Sequence, residues 1–559
     1  MRKVLLIIFL FTSTSNYAQN SFLHLSNARL YEFIDELANI GVIDLTTAIK
    51  PYSREDVLKY LLEAETHIEQ LSEARKSQLA IFMKEFDIEM PLEKNMSDSL
   101  KPLDDKSYKI QYFTPEFTWK DNFFRAKIRP VYGVRYYINT HENFYNTYGG
   151  AEAISYIGKN WSIYMSLRDN YQKTFKLSQP NYFVQEQGGT YKQLTGGGNG
   201  GEFSEMRGGI TYSWNWGHLA FVKDHIQWGD NLHGSNILSG RTPSFPLIKL
   251  NMHPVKWLDF NYFHGWLVSE AIDSAHSILN QSGYARLVQR TKYIAANMIT
   301  VKPLKNLHLS FGNSIVYGDM NVQPAYLNPF MFYKSLVHTI HWRASYQNNA
   351  MYLNISTRQL KHLHLYTSIY IDEFSIRRVT DKLERNFISY KGGISITDWP
   401  IKNIFIGGEY TQTYPITFKH DEPTTSFESN KYNLGHYLKD NSEEYYTTLR
   451  FYPYKNLRLN ASYVYAWHAN EYTYIRGMKN PPIDQLPFLK DKTWDNKTLN
   501  FEIDYQLFPN LNIFIDYSYS EIKGYEADSF SATYYLNRFS PEYLHGITNT
   551  FVTGFKLGF

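Results

Sequence analysis

Cysteine is absent from all 559 residues, which excludes a disulfide framework, a thiol nucleophile and the lipid-modified N-terminal cysteine of a lipoprotein. Excess charge is lacking too. The 57 Lys and Arg stand against 54 Asp and Glu, and no basic tract is present to follow a phosphate backbone, so nucleic acid is not an expected partner. After Phe11 no run of 18 apolar residues follows, so no transmembrane helix is available. Catalytic signatures are equally scarce. There is no GxSxG elbow, and the glycine-rich LTGGGNGGEF around Gly196–Gly201 lacks the Lys-Ser/Thr of a phosphate loop and reads as a flexible connection. Asp372 and Glu373 are neighbours on a strand and point to opposite faces, so they cannot pair as acid and base. His362 and His364 could share a strand face as a metal pair, but no third ligand lies near them, whereas structural zinc takes four. No enzyme, metal or cofactor is therefore expected.

What is abundant is aromatic: 11 Trp, 47 Tyr and 36 Phe, with a mean hydropathy of only -0.43. That mixture suits a wall with one greasy face. The start, MRKVLLIIFLFTSTSNYAQN, places two cations before an apolar run and a small polar segment, so residues 1–18 read as a secretory signal peptide. From 19 to 87 the period is helical. Leu30, Phe33, Ile34, Leu37 and Ile40 recur at helical spacing up to Gly41, PYSRED opens a second helix with Ser53 and Asp56 as a reciprocal cap, and Leu79, Phe82, Met83 and Phe86 mark a third. So small a bundle is expected to dock on something larger, as a plug or cap. Residues 88–107, polar with two prolines, read as a linker.

Residues 108–559 carry strand periodicity. Leu307, Leu309, Phe311, Ile315 and Tyr317 alternate with His308, Ser310, Gly312 and Ser314, and Phe501, Ile503, Tyr505 and Leu507 with Asn500, Glu502, Asp504 and Gln506. A related phrase recurs as HPVKWLDF, VKPLKNLHL, RQLKHLHL, WPIKNIFI and YPYKNLRL. It reads as a turn in which proline ends strand pairing while Asn306, Asn403 and Asn456 adopt the left-handed conformation. Eight short turns are expected, at 158–160, 214–216, 254–256, 303–306, 359–362, 400–403, 453–456 and 509–510. With both chain ends on the periplasmic side they join nine hairpins. The predicted fold is thus an all-β transmembrane barrel of about 18 antiparallel strands with a small N-terminal α-helical bundle, in the cell outer membrane. The closing TFVTGFKLGF puts Phe551, Phe555, Leu557 and Phe559 on the lipid side. It resembles the C-terminal signal read by the barrel assembly machinery.

Most aromatics are expected in the lipid-facing wall and its girdles. A minority in outer loops could stack on sugar rings. The best candidates lie in one polar loop: Trp228 with Asp230, Asn231, His233 and Arg241. Packing of these residues inside the barrel mouth is the equal alternative.

The segment WGDNLHGSNILSGRTPSFPLIKL that contains them, with YLNPFMFY, YIDEF, EYTQTYP and LGHYLKDNSEEYY, resembles the signature blocks of the Wzi-type capsule assembly proteins. The head, with LYEFIDELANIGVI and KPYSREDVLKYL, is similar to that of the Bacteroidetes branch that includes the gliding-motility protein RemB. One departure is Lys439-Asp440, where the family pattern has a Gly-Pro-like pair. The resemblance implies an 18-stranded outer-membrane barrel with a periplasmic helical bundle, a non-catalytic, lectin-like anchor or assembly factor for surface polysaccharide. Support of gliding motility and contact with outer-membrane lipid belong to the same expectation. The alternative is a diffusion channel, since such a barrel is wide enough for water unless plugged.

Overall fold

The computed structural model describes residues 20–46, 48–90, 106–111, 115–173, 188–190, 192–193, 200–340, 346–381, 384–475 and 477–558. The expected signal peptide, most of the linker, most of the glycine run and Phe559 lie outside the described residues.

Three helices come first: α1 (Ala28–Asn39), α2 (Arg54–Thr66) and α3 (Glu73–Glu85). Ser53 caps α2 as its sequence requires, with its Oγ accepting the Asp56 N–H at 3.0 Å and donating to the Asp56 carboxylate at 2.6 Å. Leu30, Phe33, Ile34 and Leu37 join Val57, Leu61, Leu79 and Phe82 in one buried cluster.

Eighteen strands then close into an antiparallel barrel. In chain order β1 to β6 are Phe124–Asn139, Asn143–Ile157, Trp161–Gln172, Gly201–Trp214, Gly217–Asp224 and Phe245–Val255. Strands β7 to β12 are Leu258–Trp266, Lys292–Leu304, Leu307–Gly318, Gln347–Thr357, Leu363–Glu373 and Phe387–Thr397. Strands β13 to β18 are Ile404–Thr413, Ser442–Tyr454, Leu457–Ala469, Lys492–Phe508, Leu511–Gly524 and Gly546–Leu557. β18 pairs with the upper half of β1, Leu557 opposite Tyr132, and closes the ring. The lower half of β1 pairs instead with a hairpin, Lys106–Gln111 and Glu116–Asp121, that extends the wall at the periplasmic end.

The eight short turns join the strands at the expected places, five of them marked by the repeated phrase. Asn306, Asn403 and Asn456 have φ of 61°, 66° and 64°, the left-handed conformation asparagine tolerates. Proline acts differently from expectation at three of them. Pro254, Pro303 and Pro453 lie before the turn rather than in it, each within a one-residue register shift of its hairpin. A bulge needs no ladder donor at that point, so the missing N–H costs nothing there. The residue before each proline donates its own N–H to the neighbouring turn: His253 to Trp216, Lys302 to Trp257, Tyr452 to Asn403.

Side chains alternate across the wall. Phe501, Ile503, Tyr505 and Leu507 are exposed outside, while Asp504 and Gln506 are buried inside. The same exterior carries Ile163, Met165 and Leu167 on β3, and Ile513 and Ile515 on β17. Such a continuous apolar exterior is stable against hydrocarbon, not water.

The helical bundle plugs the periplasmic mouth, and ion pairs seat it. Arg75 of α3 bridges Glu36 of α1 and Asp398 of the β12–β13 turn, each at 2.8 Å. Arg450 and Arg458 of the wall reach Glu32 at 2.7 and 3.0 Å, and Arg129 reaches Glu85 at 2.6 Å. Buried charges this dense are tolerated because each is paired. Ile88 and Glu89, placed in the linker by composition, belong to the seat: Ile88 is buried, and Glu89 accepts from Arg54 at 2.5 Å.

Candidate functional site

The connection between β5 and β6, residues 225–244, does not rise outward but folds into the lumen. There Gln227–Trp228 and Leu238–Ser239 pair with Ile49–Lys50 of the plug segment as a three-stranded sheet. Distant wall residues pin it. Glu409 of β13, ion-paired with Lys391 at 2.9 Å, accepts the backbone N–H groups of Leu232 and His233, each at 2.9 Å. Asn236 donates to the carbonyls of Ser368 and Ser389 and accepts from the Ser368 hydroxyl. Part of the β13–β14 connection joins it: Phe418, Phe427 and Leu434 share an apolar cluster with Trp228. Lys439, in this second connection, has a φ of 60°, the conformation the glycine of the family pattern would supply.

The predicted site residues separate on this scaffold. Trp228 is 2% exposed and meets Phe263 edge to face at 5.2 Å, so its faces are engaged by protein. Asp230 is held by Asn354 of β10. Asn231 closes a tight turn, donating to the Gly229 carbonyl at 2.9 Å and accepting the Gly234 N–H at 3.2 Å. Arg241 is buried with its guanidinium over the rings of Tyr437 and Tyr432, at 5.5 and 5.7 Å. Of the five, His233 is the one that lines the space enclosed by the loop and the wall. It stacks on Tyr446 at 4.3 Å and its Nδ1 lies 3.0 Å from Glu444.

That space is a lumenal cavity of about 960 Å³ between the inward loop and the wall formed by β1–β4 and β15–β18. Ser26 and Ala28 of the plug line it at one end, and Pro541 and Tyr543, beyond β17, at the other. Its polar lining is mainly amide and hydroxyl, among them Asn170, Asn496, Asn500 and Ser520. Tyr148 Oη and Gln172 Oε1, both on the lining, are buried without a partner in the protein. Amides, hydroxyls and tyrosine rings around a concave space are the groups that hold sugar hydroxyls and C–H faces. Position in the sequence did not distinguish Asn170, Asn496 or Asn500 from any other inward polar residue. The available signal was amides at inward positions of strands that the ring makes neighbours.

One cluster among the described residues has the composition of a metal site: His24, Glu205 and His225. Its hydrogen bonds indicate another role. His24 Nδ1 accepts the Ser26 N–H at 2.9 Å, so its proton sits on Nε2, 3.2 Å from Glu205, where a metal would need a lone pair. Arg168 also reaches Glu205 at 2.6 Å. The cluster ties plug segment, wall and inward loop to one carboxylate. His362 and His364 do not converge: His362, in the turn with φ of 73°, faces the Thr397 carbonyl at 2.8 Å, and His364 faces Ser356 at 2.8 Å.

Residues 133–532 match the family model described as capsule assembly protein Wzi. Among solved structures, the chain superposes on Escherichia coli Wzi, an outer membrane protein involved in group 1 capsule assembly and a carbohydrate-binding β-barrel. The TM-score is 0.54 at 12% identity, over 97% of this chain and 100% of that one. Weaker likenesses are to Acinetobacter baumannii OccAB2 (TM-score 0.42, 8% identity, 77% of this chain and 97% of that one) and Pseudomonas aeruginosa OccD3 (0.40, 11%, 77% and 91%). No curated protein sequence matches the chain.

Proposed function

The chain belongs to the Wzi capsule assembly family, and from that membership we propose that it anchors or helps assemble surface polysaccharide at the outer membrane by binding without turnover. The observation that carries the reading is the lumenal cavity, with its amide, hydroxyl and tyrosine lining. Each sugar contact is modest, and repetition along a polymer multiplies them. Glu205, a carboxylate on the lining, is occupied by Arg168 and His24, which suits holding better than acid catalysis. Of the five residues first singled out, His233 is the one we assign to ligand contact. Trp228, Asp230, Asn231 and Arg241 act by shaping the loop that presents it.

The finer reading, that this is a protein of the RemB-like branch with a part in gliding, rests on the helical head and its two segments. The C-terminal strand Gly546–Leu557 is what the barrel assembly machinery would engage. Purified protein titrated with polysaccharide from the producing cells tests the main reading. Binding is expected, and Asn170→Ala with Asn500→Ala is expected to weaken it tenfold or more with the barrel intact. A diffusion channel predicts no binding and steady single-channel conductance.

A further inference from the structure

Residues 319–340 follow β9 in the connection to β10. They run down the outside of the wall, where Tyr326 and Tyr333 are buried against the outward side chains of Tyr262, Tyr293, Ile315 and Tyr317. The periodicity that assigned Ile315 and Tyr317 to the lipid is right about the side of the sheet. Protein covers them there instead.

Within this aromatic patch the wall carries two outward amides, Asn297 and Asn313. Asn313 donates to Asn297 at 2.6 Å, and Asn297 donates to the carbonyls of Pro329 and Met331 at 2.9 and 2.8 Å. Asn313 accepts the Tyr333 N–H at 2.9 Å, and the Tyr262 hydroxyl donates to the Tyr326 carbonyl at 3.0 Å. In hydrocarbon, backbone groups outside helix or sheet must find protein partners, and here the wall supplies them.

Depth follows from register. Phe330 stacks on Phe260 at 4.9 Å. Phe260 lies opposite Ile299, and Ile299 opposite Phe311. Phe311 stands four residues above Leu307, the last ladder position before the periplasmic turn, or about 10 Å up a tilted wall. That is inside an apolar band about 25 Å tall. Ile299 and Phe311 are themselves exposed, and beside them the strap turns out Leu327, Phe330 (69% exposed) and Phe332.

We propose that residues 320–340 form a membrane-embedded strap whose Leu327, Phe330 and Phe332 contact lipid acyl chains. Its exposed edge continues the hydrocarbon-facing belt at the same depth, and these residues are thereby removed from the glycan-facing surface.

The absence of cysteine makes the test direct. Phe330→Cys and, separately, Phe332→Cys carry a nitroxide label in protein reconstituted into phospholipid vesicles. Collision rates with oxygen and with a water-soluble nickel chelate are compared with those of Phe311→Cys in the belt and Tyr284→Cys in the β7–β8 connection. Both strap labels are expected to favour oxygen, as Phe311→Cys does. Nickel access like that of Tyr284→Cys overturns the proposal by placing the strap in water. Shielding from both reagents overturns it in favour of a covering protein, a second copy included.

Discussion

Asp230 and Asn354 hold each other from both ends: Asn354 Oδ1 accepts the Asp230 N–H at 3.0 Å while its Nδ2 donates to the Asp230 carboxylate at 2.7 Å. One amide thus fixes backbone and side chain of a loop 124 residues away. Asn354→Ala leaves a buried carboxylate short of a donor, a loss of about 1–3 kcal/mol. The expected outcome is a loosened inward loop, read as conductance bursts in planar bilayers where the parent barrel is nearly silent.

Trp228 and His233 are predicted to fail in different ways. Trp228→Ala removes a buried ring from the lumenal cluster and is expected to cost about 3–5 kcal/mol, seen as a lower unfolding midpoint. His233→Ala leaves that cluster intact and is expected to weaken polysaccharide binding with little change in midpoint. Titration and thermal unfolding of both variants check the pair.

Arg75 is buried between Glu36 and Asp398. Arg75→Ala takes a cation from both carboxylates, leaving Glu36 to Arg450 at 3.3 Å and Asp398 to the Asn403 N–H at 2.9 Å, and loss of one partner of a buried pair costs about 3–5 kcal/mol. The plug is expected to become sensitive to protease between residues 20 and 90 while the barrel fragment resists, which mass spectrometry of a timed digest resolves.

His24, in the plug segment, is held neutral. Burial first, then the nearby Arg207, pushes its pKa from 6.5 down to about 3, opposed by Glu205. The unfolded chain takes up a proton near pH 6.5 that the folded chain refuses until about pH 3. Its contribution is therefore fully present above pH 6.5 and lost as pH falls toward 3, on the order of a few kcal/mol in all. Arg168 and His225 meet the same carboxylate, Glu205, and other groups titrate in this window, so the comparison is with His24→Gln. That variant is expected to show a shallower fall in stability between pH 6.5 and 4 by denaturant unfolding.

What the sequence made legible was local. Asn306, Asn403 and Asn456 carry their turn chemistry within four residues, Ser53 and Asp56 cap each other three apart, and alternation at Phe501–Leu507 separates an apolar from a polar face, which length and export then assign to lipid and lumen. What it hid depends on distant partners. Trp228 reads equally as a sugar platform or as packing in the barrel mouth until Glu409 and Asn354 draw its loop inward, and those contacts span more than 100 residues. Asn297 and Asn313 look misplaced on a lipid face until the strap covers them. The cavity amides were unreadable for the same reason, since the ring closure between β18 and β1 makes neighbours of the two ends of the sheet.

The most direct measurement is the partition of polysaccharide between cell surface and medium after the gene is deleted and then restored. The account predicts glycan shed into the medium on deletion, regained at the surface with the parent chain and not with a cavity variant that still assembles in the outer membrane. Glycan retained at the surface without the protein would contradict it, and loss of surface spreading alone would leave motility as its role.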